Sequence, residues 1–451
     1  MRLFTGRRRS PPQTHNVPSD LSAYVQYPFL SEKAYLLWII ASAALLFVAA
    51  PQALKADQRI AQEQVAALYA RQDWFGLRAS LTASSPALYR AAVAAAFLRP
   101  EAEQLLSEII NASPNSTEAR DAYRWLSHLF VETGQYRKLA SNMQKHVRSF
   151  PQDEEALTNQ KALGPLLEMP DQITVTAEPS SVAHDGGLFI PVRINDREAH
   201  FFVDTGGGFS ATSQSEATRL GLRFAKASGT ANTSTSQKAA YRLAVASELI
   251  IGGFRLHDVT FAVFPDEGEP WRDLARGRRG LIGLPVQIAL GRMRWSKQGT
   301  FSFGANTGDS KLVEPNLAMV DDRPGVLVGI QGREVLFSLD TGAVNTDIYA
   351  EFGRAFPDIV SRAKKTRTEV RGTGGAETHD AVEVPDLAVL LGGTRATLRS
   401  ASMLMTQINS ARFVGNLGCD ILEQHGLFIV DFASMRVEIN EPEVKHMETL
   451  R

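Results

Sequence analysis

Two stretches of this 451-residue chain share one pattern: INDREAHFFVDTG at Ile194–Gly206 and IQGREVLFSLDTG at Ile330–Gly342. Each begins with isoleucine, carries an Arg-Glu pair in register and ends in Asp-Thr-Gly. The aspartates, Asp204 and Asp340, lie ten positions after the isoleucine (204 − 194 and 340 − 330). Two carboxylates supplied by a repeated unit are what a water-activating acid and base pair requires. The pattern therefore predicts a hydrolase that works with two aspartates.

The repeat extends well beyond these two motifs. IIGG at Ile250–Gly253 matches LLGG at Leu390–Gly393, and GLIG at Gly280–Gly283 matches GNLG at Gly415–Gly418. The final glycines lie 79 and 78 residues after their aspartates (283 − 204 and 418 − 340). Agreement at several landmarks indicates an internal duplication. Short runs rich in Val, Ile, Phe and Leu, separated by Gly and Asn or Asp turns, predict that both copies are all-β.

Both copies resemble the retropepsin-like aspartic peptidases, in which Asp-Thr-Gly follows a strand and precedes a flap, a Gly-Gly turn and an apolar-apolar-Gly segment. The likeness covers about Leu188 to Asn440, more than half of the chain. It implies an all-β, two-lobed, acid-protease-like catalytic unit, with one lobe at 175–310 and the other at 318–445. The two catalytic aspartates, Asp204 and Asp340, would meet between the lobes of a single chain.

The residues after each aspartate suit this chemistry. Gly206 and Gly342 let the two backbones approach closely. The resemblance implies that Thr205 and Thr341 hydrogen-bond across the interface and hold the turns rigid. Two carboxylates about 3 Å apart cannot both ionise readily, so they share one proton. The ionised member would take a proton from water and the protonated member would donate to the scissile carbonyl oxygen, with no metal and no cofactor.

Flaps that bind the substrate are predicted between each motif and its Gly-Gly turn. In the second copy, Gly372, Thr373 and Gly374 form a predicted mobile hairpin tip. In the first copy, Gly229 and Thr230 lie at the corresponding place within a stretch rich in Ser, Thr and Ala. An ordinary loop is the alternative for both segments.

Several positions depart from the family pattern. Gly207 and Ala343 follow the motifs, where pepsin-like enzymes usually have a hydroxyl residue. Without that hydroxyl the carboxylates lose a stabilising hydrogen bond, so the pKa values of the pair should lie higher. This predicts activity at mildly acidic to near-neutral pH. Gly208 and Phe209 also differ from the usual continuation of the first motif, and Asn416 occupies an apolar position of the segment expected to pack beneath the second turn.

The region before the repeat begins with a predicted membrane anchor. Residues 1–33 are basic and Pro-rich and predict a disordered cytoplasmic tail. Residues 34–51 contain the uncharged 16-residue run Tyr35–Ala50, which predicts a single-pass transmembrane helix or an uncleaved signal. A buried core helix is the alternative. Because the preceding charges are positive, we expect the C-terminal domains outside the cytoplasm, on the periplasmic face of a bacterial inner membrane.

Residues 55–165 carry the composition of helices. Within them, the stretch from Arg120 to Pro151 resembles a tetratricopeptide repeat, with Gly134 placed 17 residues before Pro151 (151 − 134) as the turn glycine. Ser127 and Leu139 depart from that repeat's usual glycine and alanine. A generic helical bundle is the alternative. A helical-hairpin array would bind a protein partner or present substrate on a concave surface.

Composition excludes several other classes. The chain is 44% hydrophobic and 22% charged, which is typical of a globular protein, and its net charge of −1 gives no support for nucleic-acid binding. Its one cysteine, Cys419, cannot form an intramolecular disulfide. The alternative function is a non-catalytic scaffold that binds peptides through the β unit and recruits partners through the helices. A third possibility is that each lobe pairs with its copy in another molecule.

Overall fold

The computed structural model describes residues 60–185, 187–232, 237–304, 314–373, 375–405 and 412–440. It divides into two compact units, Met1–Gln64 and Val65–Arg451. In the first unit the described residues, 60–64, are helical. The tail predicted at 1–33 and the membrane segment predicted at 34–51 lie outside the described residues. Among the helices that are described, none is long and apolar enough to cross a membrane.

Helices precede the β-rich part, as the composition predicts. They are α1 at residues 60–71, α2 (Trp74–Ser80), α3 (Ala87–Ala96), α4 (Ala102–Ala112), α5 (Thr117–Glu132), α6 (Tyr136–Ser149) and α7 (Glu154–Ala162), followed by a 3-10 helix at Gly164–Glu168. The Ser116 side chain accepts a hydrogen bond from Ala119 N and begins α5. Gly134, at φ 69°, makes the turn to α6. Leu106, Leu126 and other apolar residues of one face build a shared core.

The first copy of the repeat forms a sheet of eight strands in the order β1-β8-β5-β9-β4-β3-β7-β6. In chain order its region contains β1 (Ile173–Ala177), β2 (Ser180–Ala183), β3 (Phe189–Ile194), β4 (Arg197–Val203), β5 (Ser210–Ser213), α8 (Gln214–Arg219), β6 (Arg223–Asn232), β7 (Lys238–Ile251), β8 (Phe254–Phe264), a 3-10 helix (Trp271–Asp273), β9 (Gly280–Ile282), α9 (Leu284–Leu290), β10 (Arg292–Ser296) and β11 (Thr300–Phe303).

The second copy forms its own sheet of eight strands, in the order β12-β13-β14-β19-β15-β18-β17-β16. Its elements are β12 (Leu317–Val320), β13 (Arg323–Ile330), β14 (Arg333–Leu339), β15 (Asp347–Ile348), α10 (Ala350–Ala355), α11 (Pro357–Val360), β16 (Lys364–Gly372), β17 (Gly375–Leu391), β18 (Thr394–Leu404), β19 (Gly415–Leu417), α12 (Cys419–Leu422), β20 (Leu427–Asp431) and β21 (Arg436–Asn440).

The two sheets repeat one arrangement. The neighbours β8-β5-β9-β4-β3 in the first correspond to β18-β15-β19-β14-β13 in the second. In each copy a long hairpin strand, β7 or β17, pairs with strands on both sides and curls the sheet toward a barrel. The turns before β4 and β14 also match. Asn195 and Asp196 have φ of 46° and 63°, and Gln331 and Gly332 have φ of 50° and 77°, the left-handed pair of a tight hairpin.

A third sheet joins the copies in the order β2-β11-β10-β20-β21. Strands β10 and β20 pair antiparallel, with Trp295 opposite Phe428. The two rings stack with centroids 4.5 Å apart, and Trp295 is buried. Aromatic pairs of this kind contribute stability beyond the area that they bury. Both residues belong to one buried apolar cluster that contains residues of the two copies.

The helices contact both copies of the repeat. Gln172 follows the helical region, and its Nε2 donates to the carbonyl of Pro285 in α9 at 2.9 Å. On the other side, His128 of α5 contacts the carboxylate of Asp322 in the turn between β12 and β13. The helical region is thus packed against the β unit instead of standing apart from it.

A buried acid at this second contact leads to a stability prediction. Glu132, 6% exposed, lines a small cavity with His128 and Asp322. Burial and the Asp322 charge raise the pKa of Glu132 well above its usual 4.5. When folding raises the pKa of a carboxyl group, its contribution to stability is complete at pH values below the pKa of the unfolded state. That contribution is lost as pH rises through the pKa of the folded state. We therefore expect Glu132→Gln to stabilise the protein at pH 8 by at least about 1 kcal/mol, with little effect at pH 4.

Urea unfolding of the two proteins at both pH values measures this difference. Glu168→Gln is the matched control, because Glu168 also ends a helix but is exposed, and we expect no pH-dependent change from it. Destabilisation by Glu132→Gln at pH 8 would show instead that Glu132 is ionised and paired with His128.

Candidate active site

Strand pairing places each aspartate at the end of a buried strand. Asp204 follows β4, and its N–H donates to the carbonyl of Ile282 in β9 at 3.1 Å. Asp340 follows β14 in the same way, and its N–H donates to the carbonyl of Leu417 in β19 at 2.9 Å. Both strand pairs are parallel. The two motifs therefore occupy equivalent positions, each directly over an apolar-Gly segment.

The two Asp-Thr-Gly turns face each other across the interface between the copies. A methyl group placed on Gly206 would lie 2.5 Å from Asp340 Oδ1, and one on Gly342 would lie 2.6 Å from Asp204 Oδ1. Side-chain carbons do not approach oxygen this closely, so only glycine permits the arrangement. Each carboxyl group thus lies against the glycine of the opposite motif, and the structure brings the two predicted aspartates together.

Thr205 and Thr341 join the two turns with four hydrogen bonds. Each hydroxyl accepts from the N–H of the other threonine, at 3.0 Å for Thr205 N and 2.9 Å for Thr341 N. Each hydroxyl also donates to a strand carbonyl of the opposite copy, Leu339 at 3.0 Å and Val203 at 2.7 Å. Both threonines are fully buried. This closed set of bonds sets the distance and angle between the carboxyl groups.

The surroundings of Asp204 favour its protonated form. Burial is the largest cause that raises its pKa, and the negative charge of Asp340 is the second; together they bring the pKa to about 7. A hydrogen bond with the Asp340 carboxyl raises the pKa further, whereas the N–H groups of Gly206 and Gly342 lower it. The pair therefore holds one proton up to near-neutral pH.

Gln287 supports the first turn and was not identified from the sequence. Its Nε2 donates to the carbonyls of Asp204 at 2.6 Å and Ile282 at 2.8 Å, and the side chain is completely buried. In the second copy the Cys419 thiol donates to the carbonyl of Thr341 at 3.1 Å. The signal for Gln287 was its amide within the otherwise apolar helix LPVQIAL.

Asn416 touches the second aspartate directly. Its Nδ2 donates to Asp340 Oδ2 at 2.8 Å, and its Oδ1 accepts from the hydroxyl of Ser338 at 2.5 Å. From the sequence, Asn416 was noted only as a departure from an apolar position. A polar residue at a buried site beside a functional motif is the signal that could have suggested this contact.

The predicted flap tip in the first copy is wrong in position. Gly229 and Thr230 lie within β6, where they pair with Tyr241 and Ala240 of β7, and the hairpin continues to residues 232 and 238. Alternating Ala, Ser and Thr suit an extended strand. A methyl group on Gly229 would lie 2.6 Å from the Tyr241 hydroxyl, so glycine is needed for this cross-strand contact.

In the second copy the predicted tip does lie at a hairpin end. Gly372, the last residue of β16, pairs with Gly375, the first residue of β17, and Thr373 lies in the turn. Gly374 is outside the described residues. Next to this end, the Arg371 guanidinium lies 3.9 Å from the carboxylate of Glu269 in the first copy. The β16–β17 hairpin therefore reaches from one copy to the other.

A comparison with protein families agrees with this geometry. Residues 190–286 match the family model described as Aspartyl protease. The matched range runs from β3 into α9 and contains Asp204 with its supporting segment. A search of curated proteins finds no match to this chain. Residues 190–286 of the first copy are thus similar to an aspartyl-protease domain, and the second copy repeats the strand arrangement of the first.

Proposed function

We propose that this protein is an aspartic endopeptidase that hydrolyses peptide bonds with a water molecule activated between Asp204 and Asp340. The observation that carries the proposal is the pair of matched turns, in which each carboxyl group lies against the glycine of the other motif. The family match to residues 190–286 supports the same reaction class.

In the proposed reaction, the ionised carboxylate takes a proton from water as the water oxygen attacks the scissile carbonyl carbon. The protonated carboxyl group donates its proton to the carbonyl oxygen, which gives a tetrahedral diol. Transfer of a proton to the amide nitrogen then breaks the carbon–nitrogen bond and releases an acid and an amine. The hydrogen bonds of Thr205 and Thr341 hold the acid and the base in position and so lower the cost of reaching this geometry.

The substrate in this proposal is a polypeptide. The β6–β7 and β16–β17 hairpins lie at equivalent places in the two copies and would act as flaps over it. Gly229 and Thr230 would then contribute from a hairpin arm, and Gly372 and Thr373 from a hairpin end.

We also propose that the helical region recruits a protein partner or presents substrate as tetratricopeptide-like hairpins. The resemblance of Arg120–Pro151 and the left-handed turn at Gly134 support this.

The apolar run within 34–51 supports a membrane anchor that leaves the peptidase outside the cytoplasm. Fusion of a periplasm-dependent reporter to the C-terminus tests the orientation, and a reporter active only in the cytoplasm would contradict it.

Digestion of a peptide library by the full-length protein in detergent tests the enzymatic proposal. We expect internal cleavage that a statine-type transition-state mimic blocks. Binding of peptides without any cleavage would overturn the proposal and favour the non-catalytic peptide-binding scaffold. Activity lost on dilution would favour sites formed between two molecules.

The pH dependence of cleavage is a separate prediction. Because the raised pKa of Asp204 keeps a proton on the pair up to about pH 7, we expect a maximum at mildly acidic to near-neutral pH. Above that range the acid is lost, and kcat/KM should fall about tenfold per pH unit. Initial rates on a fluorogenic peptide across the pH range measure this. A maximum near pH 2 would contradict it.

A further inference from the structure

Asp340 and Asp204 are equivalent in sequence, but their carboxyl groups have different hydrogen-bond partners. Asp340 Oδ1 accepts from the N–H groups of Gly342 at 2.9 Å and Ala343 at 3.1 Å. Asp340 Oδ2 accepts from the amide of Asn416 at 2.8 Å. Both oxygens of this carboxyl group therefore receive donors, which is the arrangement that stabilises a carboxylate anion.

The Asp204 carboxyl group has different partners. Asp204 Oδ1 accepts from the N–H of Gly206 at 2.9 Å, and the N–H of Gly342 and the Asp340 carboxyl also hydrogen-bond to this group. Its Oδ2 lies beside Gly207, where an added methyl group would be 3.5 Å from that oxygen and 3.0 Å from a methyl carbon of Leu281. Leu281 in GLIG occupies the position that Asn416 occupies in GNLG. An apolar side chain therefore stands where the second copy has an amide donor.

The difference extends to the strand beneath. Leu281 is opposite Phe202 in the first copy, whereas Asn416 is opposite Ser338 in the second. The Ser338 hydroxyl donates to Asn416 Oδ1 and so orients the amide with its N–H toward Asp340. Ser338 is 2% exposed and Asn416 is 9% exposed. A buried polar pair of this kind has a fixed orientation because its alternatives leave donors unpaired.

Asp347, Cys419 and Asp420 are ionisable groups on the side of the second copy. Asp347 is opposite Asn416 in the strand register, and the charges of Asp420 and Asp340 both act on it. Burial and those neighbours raise the pKa of Asp347 to about 6, so it carries a proton at acidic pH. Asp420 accepts from Thr346 at 2.6 Å. Burial also raises the pKa of the Cys419 thiol, which is neutral. Asp347 and Cys419 are thus uncharged at acidic pH, and Asn416 donates directly to the Asp340 carboxyl group.

We propose that Asn416 is a positioning residue that keeps Asp340 ionised and places the shared proton on Asp204. In the reaction proposed above, on which this inference rests, Asp340 then takes the proton from water. Asp204 donates its proton to the scissile carbonyl oxygen. The roles of the two aspartates are thus set by one side chain outside both Asp-Thr-Gly motifs.

Exchange of the two residues tests this inference. Asn416→Leu gives the second copy the leucine of the first, and Leu281→Asn gives the first copy the asparagine of the second. The double variant exchanges the two residues. An aromatic epoxide alkylates ionised carboxylates and not protonated ones, so peptide mass spectrometry after labelling at mildly acidic pH reports which aspartate is ionised. We expect label on Asp340 in the wild type, loss of that preference in Asn416→Leu, and label on Asp204 in the double variant. Label that stays on Asp340 in all three variants would overturn the proposal.

Two further measurements complete the test. Asn416→Leu should raise the pH midpoint of the acidic limb of kcat/KM by at least about one unit, because a hydrogen bond to a charged group is lost. Asn416→Leu removes the acceptor of the Ser338 hydroxyl, Asn416 Oδ1. The double variant Ser338→Ala with Asn416→Leu removes that hydroxyl as well, and it should show the same labelling as Asn416→Leu if the fold is intact. Labelling does not depend on peptide cleavage. It therefore reports which aspartate is protonated even if the protein has no peptidase activity.

Discussion

Asp204→Asn and Asp340→Asn should each lower kcat/KM for peptide cleavage by at least about 10³-fold. An asparagine amide occupies nearly the same volume as the carboxyl group and can still accept from Gly206 N or Gly342 N, so the turns keep their shape. It can neither take a proton from water nor share one with its neighbour. Rates on a peptide identified from the library digest, with unfolding curves of each variant, measure the effect.

The effects of the two substitutions on kcat/KM should not be additive. Once either carboxyl group is lost the pair cannot work, so the double variant should be about as slow as each single one. Asp196→Asn is the matched control: Asp196 is an exposed turn residue at φ 63°, a conformation that asparagine adopts readily. Its rate should equal that of the wild type. If Asp204→Asn and Asp340→Asn both cleaved peptides at the wild-type rate, the two aspartates would have no catalytic role.

Thr205→Val and Thr341→Val should each destabilise the protein by about 3 kcal/mol and nearly abolish cleavage. Valine matches threonine in shape but removes the hydroxyl. The loss of the Thr205 hydroxyl leaves Thr341 N and the Leu339 carbonyl without their partners in a buried interface. Each unsatisfied buried group costs about 1–3 kcal/mol. Urea unfolding measures the stability, and peptide cleavage measures the activity.

Thr260→Val is the control for the threonine variants. Thr260 is 4% exposed and its hydroxyl has no hydrogen-bond partner among the described residues, so its removal should be neutral or stabilising. Thr205→Ser keeps the hydroxyl and should retain most of the stability that Thr205→Val loses. If Thr205→Val and Thr260→Val were equally stable, the four bonds between the turns would contribute nothing to the fold.

Local patterns predicted the class of fold and the position of the aspartates. The matched stretches that end at Asp204 and Asp340 identified the repeat, because strand, tight turn and Asp-Thr-Gly are encoded by neighbouring residues. The family match at 190–286 supports the resemblance of the first copy to an aspartyl protease. The domain boundaries, the membrane anchor and the tetratricopeptide identity stay predictions.

Position within a hairpin was harder to predict. The correspondence with the second copy predicts a flap tip at Gly229, but Gly229 lies in β6, where the Tyr241 side chain covers it. Glycine allows both a turn and a close cross-strand contact. The identity of the residue opposite decides between them, and that depends on the strand register.

The roles of Asn416 and Gln287 could not be predicted, because each depends on a partner far away in the chain. Asn416 reaches the Asp340 carboxyl group 76 residues earlier, and Gln287 reaches the Asp204 carbonyl 83 residues earlier. A buried amide predicts that some partner exists. Its identity follows only from the parallel pairing of β9 with β4 and β19 with β14.

The sequence by itself determined that this chain carries a duplicated β unit with one aspartate in each copy, because strand alternation and turn residues act over a few positions. Only the tertiary structure decided that these aspartates meet, and that Asp340 accepts a hydrogen bond from Asn416 where the first copy has Leu281. The threonine hydrogen bonds that join the turns link residues 136 apart. Such contacts form when whole strands pair, and no local pattern specifies them.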